Sequence, residues 1–200
     1  MVSRRVNDFD KYQGLIFDCD GTLADTMPLH WESWKFVASK FEFTFTEERF
    51  YELGGVPSVE ILENIKTSQS KNFDPVVVSD AKEDKYLGLI NQVSPIDPVV
   101  EIAYHFSGKK PMAVASGGTK IVVSRVLDHL GILNLFDSVV TCEDVDYQKP
   151  APDIFLKAAQ ELQITPSGCA GFEDSELGMT AIRNAGMDAF HVDWFTEFAP

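Results

Sequence analysis

The sequence predicts an α/β protein whose parallel sheet is interrupted, after its first strand, by a helical insert. Three observations lead there. Five short apolar runs, at 14–17, 112–115, 138–142, 169–172 and 189–192, read as strands covered on both faces. From the second run onward they alternate with stretches of helical apolar spacing, the pattern of a Rossmann-like parallel sheet with right-handed crossovers. Roughly ninety residues separate the first two runs, against about 10–15 for a single crossover helix.

That long interval carries four helical patterns. Leu29, Trp34, Val37 and Phe41 trace the first, and Thr46 opens a second through Phe50, Tyr51 and Leu53. Ser58, a good N-cap, opens a third with Ile61, Leu62 and Ile65, and a fourth covers about 76–93. Together they predict a small bundle with its own core, to which Trp31 and Trp34 belong. The two prolines of Ser94-Pro95-Ile96-Asp97-Pro98 mark the return linker, and the outward linker lies between Asp25 and Pro28. The expected organisation is a core of 1–27 with 97–200 and a helical cap of 28–96.

Past the run at 112–115, Thr119 caps a helix with Ile121, Val122, Val126, Leu127 and Leu130 inward, and Gly131 ends it. Past 138–142, Pro152 opens a helix carrying Ile154, Phe155, Ala158 and Leu162 on one face. Past 169–172, a helix through Met179, Ile182 and Ala185 ends at Gly186. The tail Trp194-Phe195-Thr196-Glu197-Phe198 is expected to dock on the core, with a dimer contact as the alternative.

Composition narrows the function classes. Seventeen Lys and Arg stand against 31 Asp and Glu, a net charge of −14. That balance argues against partners that need clustered basic residues, so nucleic acid and anionic membranes are not expected. No apolar run approaches the ~20 residues needed to span a bilayer, and residues 1–11 lack the apolar stretch of a signal peptide. Cys19, Cys142 and Cys169 are odd in number and widely spaced, which suggests three buried reduced thiols and a cytoplasmic location. A chain of 200 residues buries a sufficient core without disulfides.

The chemistry gathers where strands end. Open parallel sheets bind ligands at the carboxyl ends of their strands. Asp18 and Asp20 close the first run, two carboxylates that are costly to bring together without a cation. An EF-hand loop from Asp18 would need Gly at position 23 and Glu at 29, and both are Leu. Ser116-Gly117-Gly118 follows the second run and precedes a helix, where a hydroxyl and backbone amides can hold an anion. Lys149 follows the third run and Glu173-Asp174 the fourth. Each alone is equally a surface turn, a solvated lysine or a complement to a helix dipole. Their convergence on one sheet edge suits Mg²⁺ on the carboxylates and phosphate oxygens on the Ser and Lys.

Four motifs in this order, DCDGT at Asp18, Ser116, Lys149 in QKPAPD and FEDS at Glu173–Asp174, resemble the haloacid dehalogenase superfamily of phosphohydrolases. The resemblance covers essentially the whole chain and is to the branch with a helical cap after the first strand. GLIFDCDGTLADT, the Gly-Val-Pro-Ser segment, PMAVASG and KPAPDIFL are most similar to sugar-phosphate phosphatases related to β-phosphoglucomutase, in particular to bacterial fructose-1-phosphate phosphatases.

The resemblance implies a Mg²⁺-dependent phosphatase acting on a small phosphorylated metabolite; a monomer is expected, with a dimer as the alternative. Asp18 would be the nucleophile and Asp20 the general acid and base. Asp18, the main-chain carbonyl of Asp20 and Asp174 would hold the metal, with Glu173 in or beside its shell. Ser116 and Lys149 would neutralise the transferring phosphoryl group. Gly21 would let the backbone turn so that its amides face phosphate, and Thr22 and Gly117 would also be substrate-binding residues. In the cap, His30 and Lys82 would face the substrate. A β-phosphoglucomutase-like phosphomutase is the alternative. Its relatives place an Arg after the Gly-Val-Ser turn to grip a second phosphate, and here Ser58 stands at that position.

Overall fold

The computed structural model describes residues 6–196. Two compact units are present, one holding the chain up to Asp25 and again from Ser94, the other Thr26–Val93.

The first unit is built on five parallel strands: β1 (Gly14–Phe17), β4 (Met112–Ser116), β5 (Ser138–Thr141), β6 (Cys169–Glu173) and β7 (Asp188–His191). Their order across the sheet is β5-β4-β1-β6-β7. β1 therefore lies at the centre, and the chain builds outward to one side of it before returning to the other. Its carboxyl end is the topological switch point at which such sheets take ligands.

The three central strands are buried along their whole length, as near-continuous apolar runs require. The outer two are not: Ser138 and Val139 are half-buried, and Asp188 is exposed. Each edge strand has one side without a neighbouring strand, and the apolar run alone does not reveal that. Both β4 and β6 run one residue further than expected, so that Ser116 and Glu173 are themselves the last rungs of the ladder.

Helices α6 (Lys120–His129), α7 (Asp153–Glu161) and α8 (Glu176–Asn184) follow β4, β5 and β6. On one face Ile16, Ala113, Ala115 and Val140 pack with Ile154, Phe155, Ala158 and Ile182. Elsewhere in the core aromatic rings dominate. Phe17 stacks on Phe172 at 4.5 Å, and Phe9 meets Phe172 and Phe190 edge-on at 5.0 Å. In α6 the inward face is Val122, Val123, Val126 and Leu127, while Ile121 is exposed, one position off the expected stripe.

A helix not foreseen, α5 (Asp97–Phe106), buries Val99, Val100, Ile102, Ala103 and Phe106. Pro98 had suggested linker, but it occupies the first turn, where a missing N–H costs nothing. What remains of the two linkers, β2 (Ala24–Asp25) and β3 (Ser94–Pro95), pairs as a short antiparallel ribbon. In the tail, α9 (Asp193–Thr196) buries Phe195 near Phe9 and Phe172 while Trp194 stays exposed; Glu197 and Phe198 lie outside the described residues.

The second unit contains α1 (Met27–Lys40), α2 (Glu47–Glu52), α3 (Ser58–Ser68) and α4 (Pro75–Leu87). Its core is Trp34, Val37, Phe43, Phe50, Ile61, Leu62, Ile65 and Val78, with Trp31 half-buried against it. Thr46 caps α2 through its side chain as expected. Ser58 does not cap α3: Pro57 holds the cap position and Ser58 is the first helical residue. Tyr51 points outward and is exposed. Among the described residues no helix is long and apolar enough to cross a membrane.

Candidate active site

The carboxyl end of β1 carries Asp18, 5% exposed, with its amide donating to the Phe172 carbonyl at 2.9 Å. The chain then folds tightly back. Thr22, Leu23 and Ala24 all donate to the Cys19 carbonyl, and Gly21 donates to the Ala24 carbonyl at 2.8 Å. The expected turning of the Gly21 amide toward phosphate is corrected by these bonds, because that amide is spent inside the loop; the Thr22 amide is likewise held there, and Thr22 is fully buried. Gly21 is needed for other reasons. Its φ is +79°, and a Cβ there would lie 2.1 Å from Oδ2 of Asp174.

Lys149, in the loop before α7, reaches the same point from the other side of the sheet. Its ammonium lies 2.7 Å from Oδ1 of Asp18 and 2.7 Å from Oε1 of Glu173, and 5.1 Å from the ring centroid of buried Phe155. Glu173 closes β6, and its second oxygen accepts from the amide and the hydroxyl of Ser175 at 2.6 and 2.9 Å. Ser175 also caps α8 by accepting from Gly178 N at 3.1 Å. At Gly178 any Cβ would fall 1.8 Å from Oε1 of Glu173. Ser175 is the last residue of the FEDS motif, which by itself gives it no role, and nothing in the sequence signals Gly178.

Ser116, the last residue of β4, is buried, and its Oγ accepts from Gly118 N at 3.1 Å. A hydroxyl that accepts there keeps its hydrogen to donate elsewhere. Lys120 N, in the first turn of α6, donates to the Glu143 carboxylate at 2.7 Å, so that amide is not offered to an anion. Gly117 is exposed. Asp20 lies near this loop, its Oδ2 3.7 Å from where a Cβ on Gly118 would sit. The structure thus brings Asp18, Lys149, Glu173 and Asp174 into contact distance, with Ser116 and Asp20 at the same sheet edge.

His30 and Lys82 belong to the helical unit. There the Lys82 ammonium is 3.1 Å from Nδ1 of His30 and 2.8 Å from Glu83, and the His30 ring stacks on Tyr86 at 3.9 Å. Lys82 is buried rather than a solvated surface lysine.

The charge balance of the core site is uneven. Carboxylate oxygens of Asp18, Glu173 and Asp174 lie within 4.8 Å of one another, with one ammonium among them. Burial works against ionised Glu173, but Lys149 and the two Ser175 donors outweigh it and hold its carboxyl below the ordinary range. Asp18 and Asp174 fare worse. Burial pushes Asp18 to about 7, with Glu173 and Asp20 adding to the rise and Lys149 opposing it. Burial and the charge of Asp18 push Asp174 to about 9. Around Lys149 burial disfavours the cation, yet the carboxylates of Asp18 and Glu173 hold it charged.

With all three acids ionised the cluster carries −3 + 1 = −2. A divalent cation cancels that charge, and hard carboxylate oxygens are the donors Mg²⁺ prefers. The residues present fit such an ion. Glu173 already has partners on both oxygens, which leaves Asp18 and Asp174 as the side chains best able to take it.

The cysteines do not enter this chemistry. Cys19 and Cys169 are buried and Cys142 is half-buried. Burial and the neighbouring Asp20 and Asp18 raise the Cys19 thiol well above its usual value, and burial raises Cys169 to about 11.

A sheet with its switch point at β1, carrying an Asp-Lys-Glu-Asp cluster at the ends of three of its strands, defines a hydrolase of the haloacid dehalogenase type. The family model described as haloacid dehalogenase-like hydrolase matches residues 15–192, and the chain belongs to that family. Within it the chain is a phosphatase, a phosphoric monoester hydrolase. It is 36% identical over 185 residues to the fructose-1-phosphate phosphatase YqaB of Escherichia coli, covering 92% of this chain and 98% of that one. It is 30% identical over 187 residues to β-phosphoglucomutase of Bacillus subtilis, covering 90% and 83%. The crystal structure of β-phosphoglucomutase from Clostridium difficile is similar with a TM-score of 0.78 at 27% identity, covering 89% of this chain and 83% of that one.

Proposed function

We propose that this phosphatase hydrolyses a small sugar phosphate, fructose 1-phosphate or a similar hexose phosphate, through an aspartyl-phosphate on Asp18. The observation that carries the reading is the buried Asp18 carboxylate held at 2.7 Å by Lys149, beside Asp174 at the switch point of the sheet. The choice of sugar rests on the similarity to the E. coli phosphatase.

An oxygen of Asp18 attacks phosphorus, the bond from phosphorus to the sugar oxygen breaks, and that oxygen leaves with the electron pair. Asp20 delivers a proton to it. Water then attacks phosphorus, its proton passes to Asp20, and the bond to Asp18 breaks to release inorganic phosphate. Lys149 and the Ser116 hydroxyl take the negative charge of the phosphoryl oxygens. Asp18, the Asp20 carbonyl and Asp174 would hold Mg²⁺, with Glu173 beside it. Bound there, the ion supplies positive charge to the same oxygens.

The reading is tested by following inorganic phosphate and sugar-phosphate isomers together on a panel of hexose monophosphates. Stoichiometric phosphate release without added bisphosphate is expected. Isomer interconversion that needs a bisphosphate, with little phosphate released, would favour a mutase. The turn that would grip a second phosphate offers Pro57 and Ser58 and no bidentate cation.

Two further results are expected. Asp20→Asn should lower kcat roughly 10²–10⁴-fold on a sugar phosphate, the usual worth of general acid–base catalysis. The loss should shrink on an aryl phosphate, whose leaving group needs no proton; equal losses on both would remove Asp20 from that role.

The second concerns pH. Asp18 and Asp174 have raised native values of about 7 and 9, so their contribution to metal-free stability is complete below the unfolded value of 3.8. It is lost as pH rises through about 7 and 9, because the unfolded chain releases protons that the native site retains. Glu173 acts oppositely, stabilising at high pH and losing that contribution as pH falls. Mg²⁺ should therefore raise Tm more at about pH 8 than at about pH 6, where protons compete for the same oxygens. EDTA should abolish turnover. A Tm gain independent of pH would contradict binding at these acids.

A further inference from the structure

Asp174 has no regular secondary structure of its own. It is the single residue between the last rung of β6 and the cap of α8, so its carbonyl belongs to neither ladder nor helix. That carbonyl is taken by a side chain. Nε2 of His191, the last residue of β7, lies 2.7 Å from the Asp174 carbonyl oxygen.

The chemistry of this contact is fixed. A carbonyl can only accept, so Nε2 carries the hydrogen. On the other side of the ring, the Asp193 amide is 3.2 Å from Nδ1 and can donate to it; the Asp193 carboxylate is 3.3 Å away and can pair with a protonated ring. Both arrangements leave the Nε2 hydrogen where it is. β7 places the ring by register, since Glu173 and His191 are paired residues in the ladder and Val192 N donates to the Glu173 carbonyl at 2.9 Å.

We infer that His191 is a positioning residue for Asp174: it fixes the peptide from which the Asp174 carboxylate is aimed at the cation site. The inference rests on the proposed metal-dependent phosphatase reading. The neighbouring residues are already immobilised, Glu173 by Lys149 and Ser175, and Ser175 by its cap bond to Gly178. His191 adds the contact that holds the Asp174 carbonyl itself. The Asp174 side chain needs that control, because it lies against Gly21 with no room for even a methyl group between them. A small rotation of the peptide would drive the carboxylate into the β1 loop or away from Asp18. Partners of this kind, which touch a ligand residue and not the metal, are commonly worth 10–100-fold in metal affinity.

The test compares His191→Phe and His191→Ala, which lose the donor, with His191→Gln, whose amide N–H can replace it. Each is titrated with Mg²⁺ in the full-length protein, read by thermal shift and separately by phosphate release. Either loss variant that folds should need roughly tenfold more Mg²⁺ in both assays, with KM for the sugar phosphate unchanged at saturating metal. His191→Gln should lie close to wild type. Loss variants whose Mg²⁺ midpoint stays within about twofold of wild type, or a Gln variant no better than Phe, would overturn the inference while leaving the phosphatase reading intact. A wild-type protein that neither gains stability nor turns over with Mg²⁺ would remove the metal reading and this inference with it.

Discussion

Asp18→Asn should abolish turnover and, in the absence of metal, make the protein more stable at about pH 8. The first effect follows from nucleophilicity. An amide nitrogen or oxygen does not form the phosphoenzyme, and loss of a covalent nucleophile costs roughly 10⁴–10⁶-fold. The second follows from the charge balance of the cluster. One ammonium serves two carboxylates, and Glu173 with its Ser175 donors holds the negative charge more firmly than Asp18 does. Above about 7 the native protein must ionise Asp18 in a buried site already crowded by acids. Asparagine has the same shape without that charge, and Lys149 keeps Glu173 as a partner. Steady-state rates and melting curves of the variant measure both effects. Residual activity above about 1% would remove Asp18 from the nucleophile role. A lower Tm in metal-free buffer would contradict the balance drawn here.

Lys149→Ala should be damaging in both respects. Removing one partner of a buried ion pair costs on the order of 3–5 kcal/mol, because the charge left behind has neither water nor counter-ion. Here two carboxylates, Asp18 and Glu173, are left, and the space beside the Phe155 ring is emptied. Glu173 would then lose the main partner that holds its carboxyl below the ordinary range. Turnover should fall roughly 10²–10³-fold or more, as when a preorganised donor to a developing oxyanion is deleted. Mg²⁺ should recover part of the stability, since it supplies charge to the same oxygens, but little of the rate. Denaturant midpoints and kcat measured with and without metal distinguish these contributions. Unchanged stability would mean that Lys149 is not the counter-ion of the resting site.

The core was readable because its chemistry sits at the ends of apolar runs. Asp18, Ser116 and Glu173 each close a strand or follow one directly, so locating the strand located the residue. Other features depended on contacts made at a distance. The reason for Gly178 is a carboxylate five positions earlier that folds back onto its helix, a separation that no apolar period reveals. The Lys120 amide is held by Glu143 from the next loop. The Gly21 amide is expected to face a ligand, and the tightness of the turn consumes it instead. Helix α5 is hidden by Pro98, which would break a helix in its middle but suits a first turn. Ile121 and Tyr51 fit an apolar stripe in sequence and miss it in space although Thr119 and Thr46 open their helices where the pattern places them; the inward positions beside them go to Val122 and Val123 and to Phe50.

The ribbon formed by Ala24–Asp25 and Ser94–Pro95 has an evolutionary reading. Everything between these strands leaves and re-enters the sheet-bearing unit through neighbouring rungs of one small ladder. To the surrounding fold the intervening segment is a loop with its ends pinned, whatever it contains. The entropic penalty of such a loop grows only as the logarithm of its length, about 0.6 kcal/mol for each doubling. A lineage can therefore lengthen, shorten or replace the segment wholesale without redesigning the strands that carry Asp18 and the charged groups around it. The inserted unit is then a cassette that can be exchanged while the sheet around Asp18 is inherited unchanged.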